Sequence, residues 1–348
     1  MFSPICASTS WKVFALHAVI SLAAADEATY TMMPLMRPAA SAFDAIAPIF
    51  DSRFGAWRSV AAQRRAVRTA LLREFPTGGR ILELGGGTGE DAAFLAERRF
   101  DLLLTDPSPA MVELARTKLE PLGAKAEVTA GEEMEDFATS HLSSGGAMFD
   151  GAFSNFAPLN CVADLEPVAR GLARLLKPDA PAMLVLFGTF CPGEMVVEML
   201  RGRPHLALRR CKGGEAPARL AKREFNVVYH RRAAMRRAFS PWFVLEKRIG
   251  IGVTVPPSAA EPWISQQPRL IAAMETFDRG LARPLAMLGD HVLYQFRRTA
   301  APMSPVLSNV DKVMIISRHS ADTYTRAAEY SSSRAEKSAS CFERQERF

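Results

Sequence analysis

Short apolar runs and amphipathic stretches alternate along the middle of the chain. The apolar runs predict strands, and they occupy residues 80–84, 100–105, 124–129, 148–153 and 183–187. Apolar residues recur at helical spacing at 111–119 and 165–176, and a further helix is predicted at 61–72. Strands that alternate with helices in this way predict a parallel sheet with right-handed crossover connections.

The turn after the first of these strands is rich in glycine. Glu83 lies in the strand, and it is followed by Gly85, Gly86, Gly87 and Gly89. Gly85 allows a sharp bend, and Gly87 lacks the Cβ that would keep a ligand away from the backbone. A dinucleotide fingerprint needs glycine or alanine where the chain has Glu90, so that pattern fails. The glycines alone are also compatible with an ordinary surface turn.

The spacing E-x-G-x-G-x-G from Glu83 to Gly89 resembles motif I of the class I S-adenosylmethionine-dependent methyltransferases, of the small-molecule and quinone-biosynthesis type. The segment from Asp106 to Met111 resembles the D-x-S-x-x-M segment of the same family. Asp106 lies about twenty residues beyond the first turn, where doubly wound folds carry a carboxylate for ribose hydroxyls. The resemblance therefore implies S-adenosyl-L-methionine as cofactor, bound by the glycine turn, Asp106 and Met111.

Two later segments follow predicted strands and complete the expected cofactor site. Glu132 and Met134 resemble the adenine-contacting segment of the family, although Glu133 is an alternative and a solvated helix-start carboxylate would look the same. Ser154, Asn155 and Phe156 follow the fourth strand, and the resemblance implies that they face the methyl group. The carboxyl ends of parallel strands are where open α/β sheets bind ligands.

We therefore expect an α/β fold, a Rossmann-like doubly wound seven-stranded sheet with helical insertions that cover the substrate. Strands at 242–253 and 291–297 would close the sheet as an antiparallel hairpin, with a helix at 231–239 and a helical excursion at 256–289. The expected domains are an N-terminal extension at 1–38, a cofactor-binding core at 39–190, insertions plus the closing hairpin at 191–299, and a disordered tail at 300–348.

Before the core, residues 42–51 resemble the Y-D-x-x-A-x-x-Y-D entry of many small-molecule methyltransferases. Phe43 and Phe50 stand where the family has tyrosines, so these side chains can offer only a stacking face. An apolar stretch at 13–22 behind Lys12 resembles a secretory signal. Because the cofactor is made in the cytosol, we expect a cytoplasmic protein, with export or a later start methionine as alternatives.

The amino-acid composition and the cysteine spacing narrow the possible classes of protein and of site. The 348 residues are 48% hydrophobic and 23% charged, which is typical of a globular chain with one large domain or two small ones. The five cysteines are odd in number and have no C-x-x-C spacing, so neither a disulfide framework nor a metal site is expected.

Positive charge is concentrated between residues 193 and 250. This segment holds 14 Lys and Arg against 5 Asp and Glu, a net charge of +9, whereas the whole chain carries +6. A solvated face, an anionic substrate and peripheral contact with an anionic membrane surface all account for such a segment. A nucleic-acid partner is not expected, because no Asn-Pro-Pro-Tyr-type segment follows the fourth strand and no RNA-module signature is present.

The resemblance implies a methyltransferase that moves a methyl group to a small-molecule acceptor by in-line displacement, with positioning as the main catalytic device. The apolar insertions favour a hydrophobic acceptor, whether quinone-like, lipid or aromatic. His141, His205, His230 and His291 are candidate bases by residue type alone, so the catalytic residues stay unassigned. A noncatalytic cofactor-binding or membrane-associated module and an NAD-dependent oxidoreductase are the alternatives.

Overall fold

The computed structural model describes residues 37–300. The signal-like stretch and nearly all of the N-terminal extension lie outside the described residues, and so does the tail from residue 301 onward.

A seven-stranded mixed sheet forms the centre of this region, in the order β3-β2-β1-β4-β5-β9-β8. The strands of this sheet are β1 (Arg80–Leu84), β2 (Asp101–Asp106), β3 (Lys125–Val128), β4 (Gly151–Ser154), β5 (Pro181–Phe187), β8 (Phe243–Ile251) and β9 (His291–Arg298). The remaining two strands, β6 (Gly214–Leu220) and β7 (Arg223–Tyr229), form a separate antiparallel hairpin. The first five strands are parallel, and β9 runs antiparallel between β5 and β8. The predicted Rossmann-like fold is confirmed.

Helices cover both faces of the sheet and its ligand-binding edge. They are α1 (Pro38–Asp44), α2 (Phe50–Phe54), α3 (Arg58–Glu74), α4 (Glu90–Ala96), α5 (Pro109–Leu119), α6 (Met134–Ser143), α7 (Glu166–Leu175), α8 (Pro192–Leu200), α9 (Pro204–Ala207), α10 (Arg232–Phe239) and α11 (Pro268–Leu281). Ser108 caps α5, since its Oγ accepts a hydrogen bond from the backbone N–H of Met111 at 3.2 Å.

Alternating strand residues divide the core between the two faces. Leu82 packs with Phe149 and Leu172 on the side of α6, α7 and α10. Its neighbour Ile81 packs with Leu104 on the side of α3, α4 and α5. All five side chains are fully buried, and burial of one such side chain contributes about 1.5–3 kcal/mol. Because both faces are covered, the central strands are apolar along their whole length.

Two details differ from the sequence-based expectation. The fourth strand begins only at Gly151, because Phe149 makes an isolated bridge to Leu176 rather than a continuous ladder. The β6–β7 hairpin was not predicted at all. Apolar residues do alternate along both strands, at Ala216, Ala218 and Leu220 and at Phe225, Val227 and Tyr229, but the hairpin lies within the basic segment and half of its residues are exposed.

The insertions do not form an independent unit beside the core. β9 lies between β5 and β8 in the same sheet, so the segment after residue 191 supplies two of its seven strands. Within residues 37–300, none of the helices has the length and apolarity required to cross a bilayer.

Candidate functional site

The glycine turn lies at the carboxyl end of β1 and is held against β2. The backbone N–H groups of Gly85 and Gly86 both donate to the carbonyl of Thr105, at 2.7 and 3.2 Å. Gly85 has φ +64°, and a Cβ at this position would lie 2.3 Å from Cβ of Pro158. Gly87 has φ +56°, and its Cβ would point into open space. The turn therefore requires glycine for conformation at both positions and for packing only at Gly85.

Asp106 ends β2 with its carboxylate directed at the glycine turn. One oxygen accepts from the backbone N–H of Gly87 at 2.9 Å, and the other from the N–H of Ser108 at 2.9 Å. Burial raises the pKa of Asp106 to about 6, a shift that these two hydrogen bonds reduce and the nearby carboxylate of Asp44 increases. Each oxygen keeps a second lone pair, so the group can accept two further hydrogen bonds.

Glu83 is buried at the base of the turn, with 2% of its surface exposed. Its Oε2 has no hydrogen-bond partner among the described residues. Burial, followed by repulsion from Asp91, holds the pKa of Glu83 well above its ordinary range, although Arg64 opposes the shift. A buried carboxyl with an unpaired oxygen is suited to receive a cationic group from a ligand.

A cavity of about 380 Å³ opens beside the turn. Its walls come from α1, the glycine turn, the loop after β3, the loop after β4 and β7, and they include Glu132 and Met134. Glu133 turns away, since its carboxylate accepts from Arg37 at 2.8 Å and from the backbone N–H of Ala130 at 3.1 Å. The structure thus places Glu132, and not Glu133, against the cavity.

The segment after β4 carries strained backbone beside buried polar groups. Phe156 and Ala157 have φ +57° and +64°, a conformation that is uncommon for residues with a Cβ. Ser154 is fully buried, and its Oγ lacks a partner among the described residues. Nδ2 of Asn155 donates to Asp91 at 2.7 Å. Backbone strain of this kind concentrates at ligand sites.

Met111 occupies a different environment from the other predicted cofactor residues. It is 1% exposed and packs against Ile46 and Ala47 in a small apolar cluster beneath the N-terminal helices. Met111 does not line the cavity, and neither do Gly87 and Asp106, so its predicted contact with the cofactor stays a prediction.

Two aspartates that the sequence analysis did not select attach the N-terminal helices to the site. Oδ1 of Asp44 accepts from Oγ of Ser108 at 2.6 Å and from the N–H of Ala110 at 3.0 Å. Oδ1 of Asp51 accepts from Oγ1 of Thr88 at 2.6 Å. Both aspartates belong to the entry segment at 42–51, where the sequence analysis concentrated on the substituted aromatic positions.

A second network that the sequence did not reveal lies between α3 and α4. Asp91 accepts from Nε of Arg68 at 2.6 Å as well as from Asn155. The Arg64 guanidinium lies 3.8 Å from the same carboxylate and 5.0 Å from the ring centroid of Phe156. The network joins the helix before the glycine turn to the segment after β4, and a residue-by-residue pattern does not encode contacts across such distances.

Residues 81–179, from β1 to the turn before β5, match a family model described as a methyltransferase domain. The chain therefore contains a methyltransferase domain, and S-adenosylmethionine-dependent methyl transfer is the activity that this match supports. No curated protein matches the sequence of this methyltransferase.

Several solved methyltransferases are similar to this one. The CcbJ methyltransferase from Streptomyces caelestis is 14% identical, with 74% of this chain and 98% of that chain covered and a TM-score of 0.48. An S-adenosylmethionine-dependent methyltransferase from Mesorhizobium loti is 18% identical, with 68% and 98% covered and a TM-score of 0.42. At these values the similarities do not indicate the acceptor.

The residues of this methyltransferase fit S-adenosylmethionine. Glu83 offers the ammonium group a buried oxygen without a partner, Asp106 retains lone pairs for ribose hydroxyls, and Glu132 lines a cavity that can receive the adenine. When bound, the cofactor supplies an electrophilic methyl group on a sulfonium. The roles of Glu83, Asp106 and Glu132 stay predictions.

Proposed function

We propose that this enzyme methylates a small hydrophobic acceptor that carries an aromatic ring. The observation that carries the proposal is an aromatic cluster at the carboxyl edge of β4 and β5. The ring of His291 lies 5.8 Å from that of Phe156 and 4.9 Å from that of Phe187, and Phe187 lies 6.0 Å from Tyr229. Aromatic side chains provide flat apolar surface against which a ring can stack.

Residues of the insertions complete this cluster. Tyr229 comes from the end of β7, and Arg210 from the segment after α9 places its guanidinium 5.0 Å from the ring centroid of Phe187. Arg210 is itself buried between the carboxylates of Glu194 and Asp290. The insertions are therefore anchored to the sheet at the place where an acceptor would enter.

The protein's main contribution to the reaction is positioning. The strained backbone at Phe156 sets one wall of the acceptor site, and Arg64 and Asp91 hold that segment against α3. A well-oriented pair of reactants can save roughly 7–11 kcal/mol of the barrier. An apolar wall also excludes water from the reacting atoms.

The test combines cofactor binding with turnover. Titration calorimetry should show micromolar binding of S-adenosylmethionine and S-adenosylhomocysteine and no binding of NADH. Transfer of a labelled methyl group should then be measured for phenols, quinols, lipids and small hydrophilic metabolites. Turnover of hydrophilic acceptors alone would refute the hydrophobic site, and cofactor binding without turnover of any acceptor would favour a noncatalytic module.

We also propose peripheral contact with an anionic membrane surface, supported by the charges that stay exposed. Arg201, Arg203, Arg209 and Arg210 are committed to ion pairs with Glu194 or Glu198. Eight other basic residues of the region are exposed and have no ion pair among the described residues: Lys212, Arg219, Lys222, Arg223, Arg231, Arg232, Arg236 and Arg237. Each basic residue near such a surface contributes about 1 kcal/mol.

Co-sedimentation with vesicles tests this contact. Binding to vesicles containing phosphatidylserine should fall when Arg232, Arg236 and Arg237 on α10 are replaced by serine. The control is Arg201→Ser, which removes a cation already paired with Glu198. Equal binding to zwitterionic vesicles, or no effect of the triple replacement, would argue for a merely solvated face.

A further inference from the structure

His291 lies at the acceptor edge of the sheet because of the direction of its strand. It is the first residue of β9, and its register partner is Phe187, the last residue of β5. Since β9 runs antiparallel to β5, the start of β9 meets the carboxyl ends of the parallel strands. The imidazole stacks on Phe187 and meets the ring of Phe156 edge-on, at an interplanar angle of 87°.

Asp290 lies beside one nitrogen of this imidazole. Its Oδ2 lies 3.3 Å from Nδ1 of His291 and accepts from Nε2 of Gln63 at 3.2 Å, and its Oδ1 accepts from Arg210 at 2.9 Å. Burial alone would raise the pKa of Asp290, but His291 and Arg210 beside it hold that pKa below its ordinary value. Nδ1 forms no hydrogen bond with good geometry among the described residues, so the contact with Asp290 is one of proximity and charge.

A carboxylate beside Nδ1 favours the tautomer in which Nδ1 carries the proton and Nε2 has a free lone pair. No residue in the described part of the chain forms a hydrogen bond to Nε2 of His291. The other candidate histidines are occupied or distant. Nε2 of His230 contacts the carbonyl of Val162 at 2.9 Å, Nε2 of His141 contacts that of Ala147 at 3.2 Å, and His205 is exposed on α9.

We infer that His291 is the general base of the reaction, positioned by Asp290, and that the acceptor therefore presents a phenolic hydroxyl. The inference rests on the proposed methyl transfer and names the group that receives the methyl. The rings of Phe156 and Phe187 flank the imidazole, and their flat apolar surface suits a phenol ring.

The proton balance follows from this arrangement. Nε2 of His291 takes the proton of the acceptor O–H as the oxygen forms its bond to the methyl carbon. The bond between that carbon and sulfur breaks with both electrons leaving on sulfur, so the products are a methyl ether, a neutral thioether and an imidazolium. The imidazolium then loses its proton to water. Asp290 stabilises this cation without being protonated itself.

The experiment compares phenols of different acidity at one pH. For phenols that are protonated in solution, His291→Gln should lower kcat/KM by about 10²–10⁴-fold, the usual contribution of a general base. For nitrophenols that are already ionised, the same variant should lose less than about tenfold, because no proton has to be removed. His291→Phe, which keeps the ring stacking, should behave like His291→Gln, and His205→Gln should retain wild-type rates for both groups.

A second readout does not depend on turnover. Long-range ¹H–¹⁵N correlation spectra of the imidazole should show the Nδ1–H tautomer in the wild-type protein and a shift toward the other tautomer in Asp290→Asn. Binding of S-adenosylhomocysteine should be unchanged in His291→Gln, which separates loss of the base from loss of the fold.

The possible outcomes of these experiments test different parts of the proposal. Failure of the wild-type protein to bind S-adenosylhomocysteine would refute the proposed methyl transfer. Cofactor binding with no methylation of any phenol would overturn the acceptor class inferred from His291. Equal losses for protonated and ionised phenols, or an Nε2–H tautomer in the wild-type protein, would leave His291 a structural residue.

Discussion

Cofactor binding should depend on the ionisation of Asp106. The carboxyl group has a pKa of about 6 in the free protein, because it is buried. Ribose hydroxyls donate hydrogen bonds, and the ionised carboxylate accepts them more strongly than the neutral acid does. Protonation of Asp106 and cofactor binding therefore oppose each other.

The magnitude follows from the pKa. With a pKa of about 6, the ionised fraction falls about tenfold between pH 7 and pH 5, so the Kd for S-adenosylhomocysteine should rise about tenfold, or about 1.4 kcal/mol. Folding stability moves the other way. The folded pKa lies above the ordinary value of 3.8, so the folded state holds more protons between these values, and the Asp106 contribution to stability falls as pH rises through that window.

Calorimetry from pH 5 to pH 8, with urea unfolding at the same pH values, measures both quantities. Asp106→Asn should bind S-adenosylhomocysteine about 10²–10⁴-fold more weakly, since two hydrogen bonds to a charged acceptor contribute about 1.5–3 kcal/mol each. The affinity of this variant should no longer depend on pH below pH 7. Glu132→Gln is the control, because its exposed side chain should leave that dependence unchanged. The same slope in wild type and Asp106→Asn would refute the reasoning.

Three further results are expected. Gly85→Ala should lower the free energy of unfolding in urea by about 2–5 kcal/mol, because φ is positive there and the new Cβ would collide with Pro158. Gly87→Ala should lower it by only about 1–2 kcal/mol, because the new Cβ would face open space. Equal losses for the two variants would contradict this. Glu83→Gln should keep or raise the melting temperature, because burial disfavours the charged form of this carboxyl and raises its pKa. The same variant should bind S-adenosylhomocysteine more weakly in calorimetry. A large drop in its melting temperature would contradict this prediction. Arg210→Met removes the buried guanidinium between Glu194 and Asp290 and should cost about 3–5 kcal/mol in urea unfolding. The half-exposed Arg209→Ala should cost less than about 1 kcal/mol.

The candidate site was largely accessible from local patterns. The glycine spacing after Glu83, the carboxylate at Asp106 and the acidic segment at Glu132 all lie within a few residues of a predicted strand end. The parallel strands then bring these ends to one edge, whatever the details of packing. Met111 is buried against Ile46 and Ala47, and its predicted contact with the cofactor stays a prediction.

The choice between Glu132 and Glu133 depended on contacts between residues that are far apart in the sequence. Glu132 and Glu133 are equivalent as neighbours in sequence, and they differ in the structure because Glu133 accepts hydrogen bonds from Arg37 and the backbone N–H of Ala130, whereas Glu132 lines the cavity. The β6–β7 hairpin does alternate apolar and exposed residues, as at Phe225, Val227 and Tyr229, but this pattern lies within the strongly basic segment at 193–250.

The sequence by itself determined the α/β sheet, the glycine turn and the cofactor class, because periodicity and turn chemistry are properties of adjacent residues. Only the tertiary structure decided which histidine reaches the acceptor edge. His291 gains its role from the placement of β9 between β5 and β8 and from Gln63, which lies 227 residues before Asp290 in the chain. Such contacts depend on how whole strands and helices pack, and no local spacing of residues specifies them.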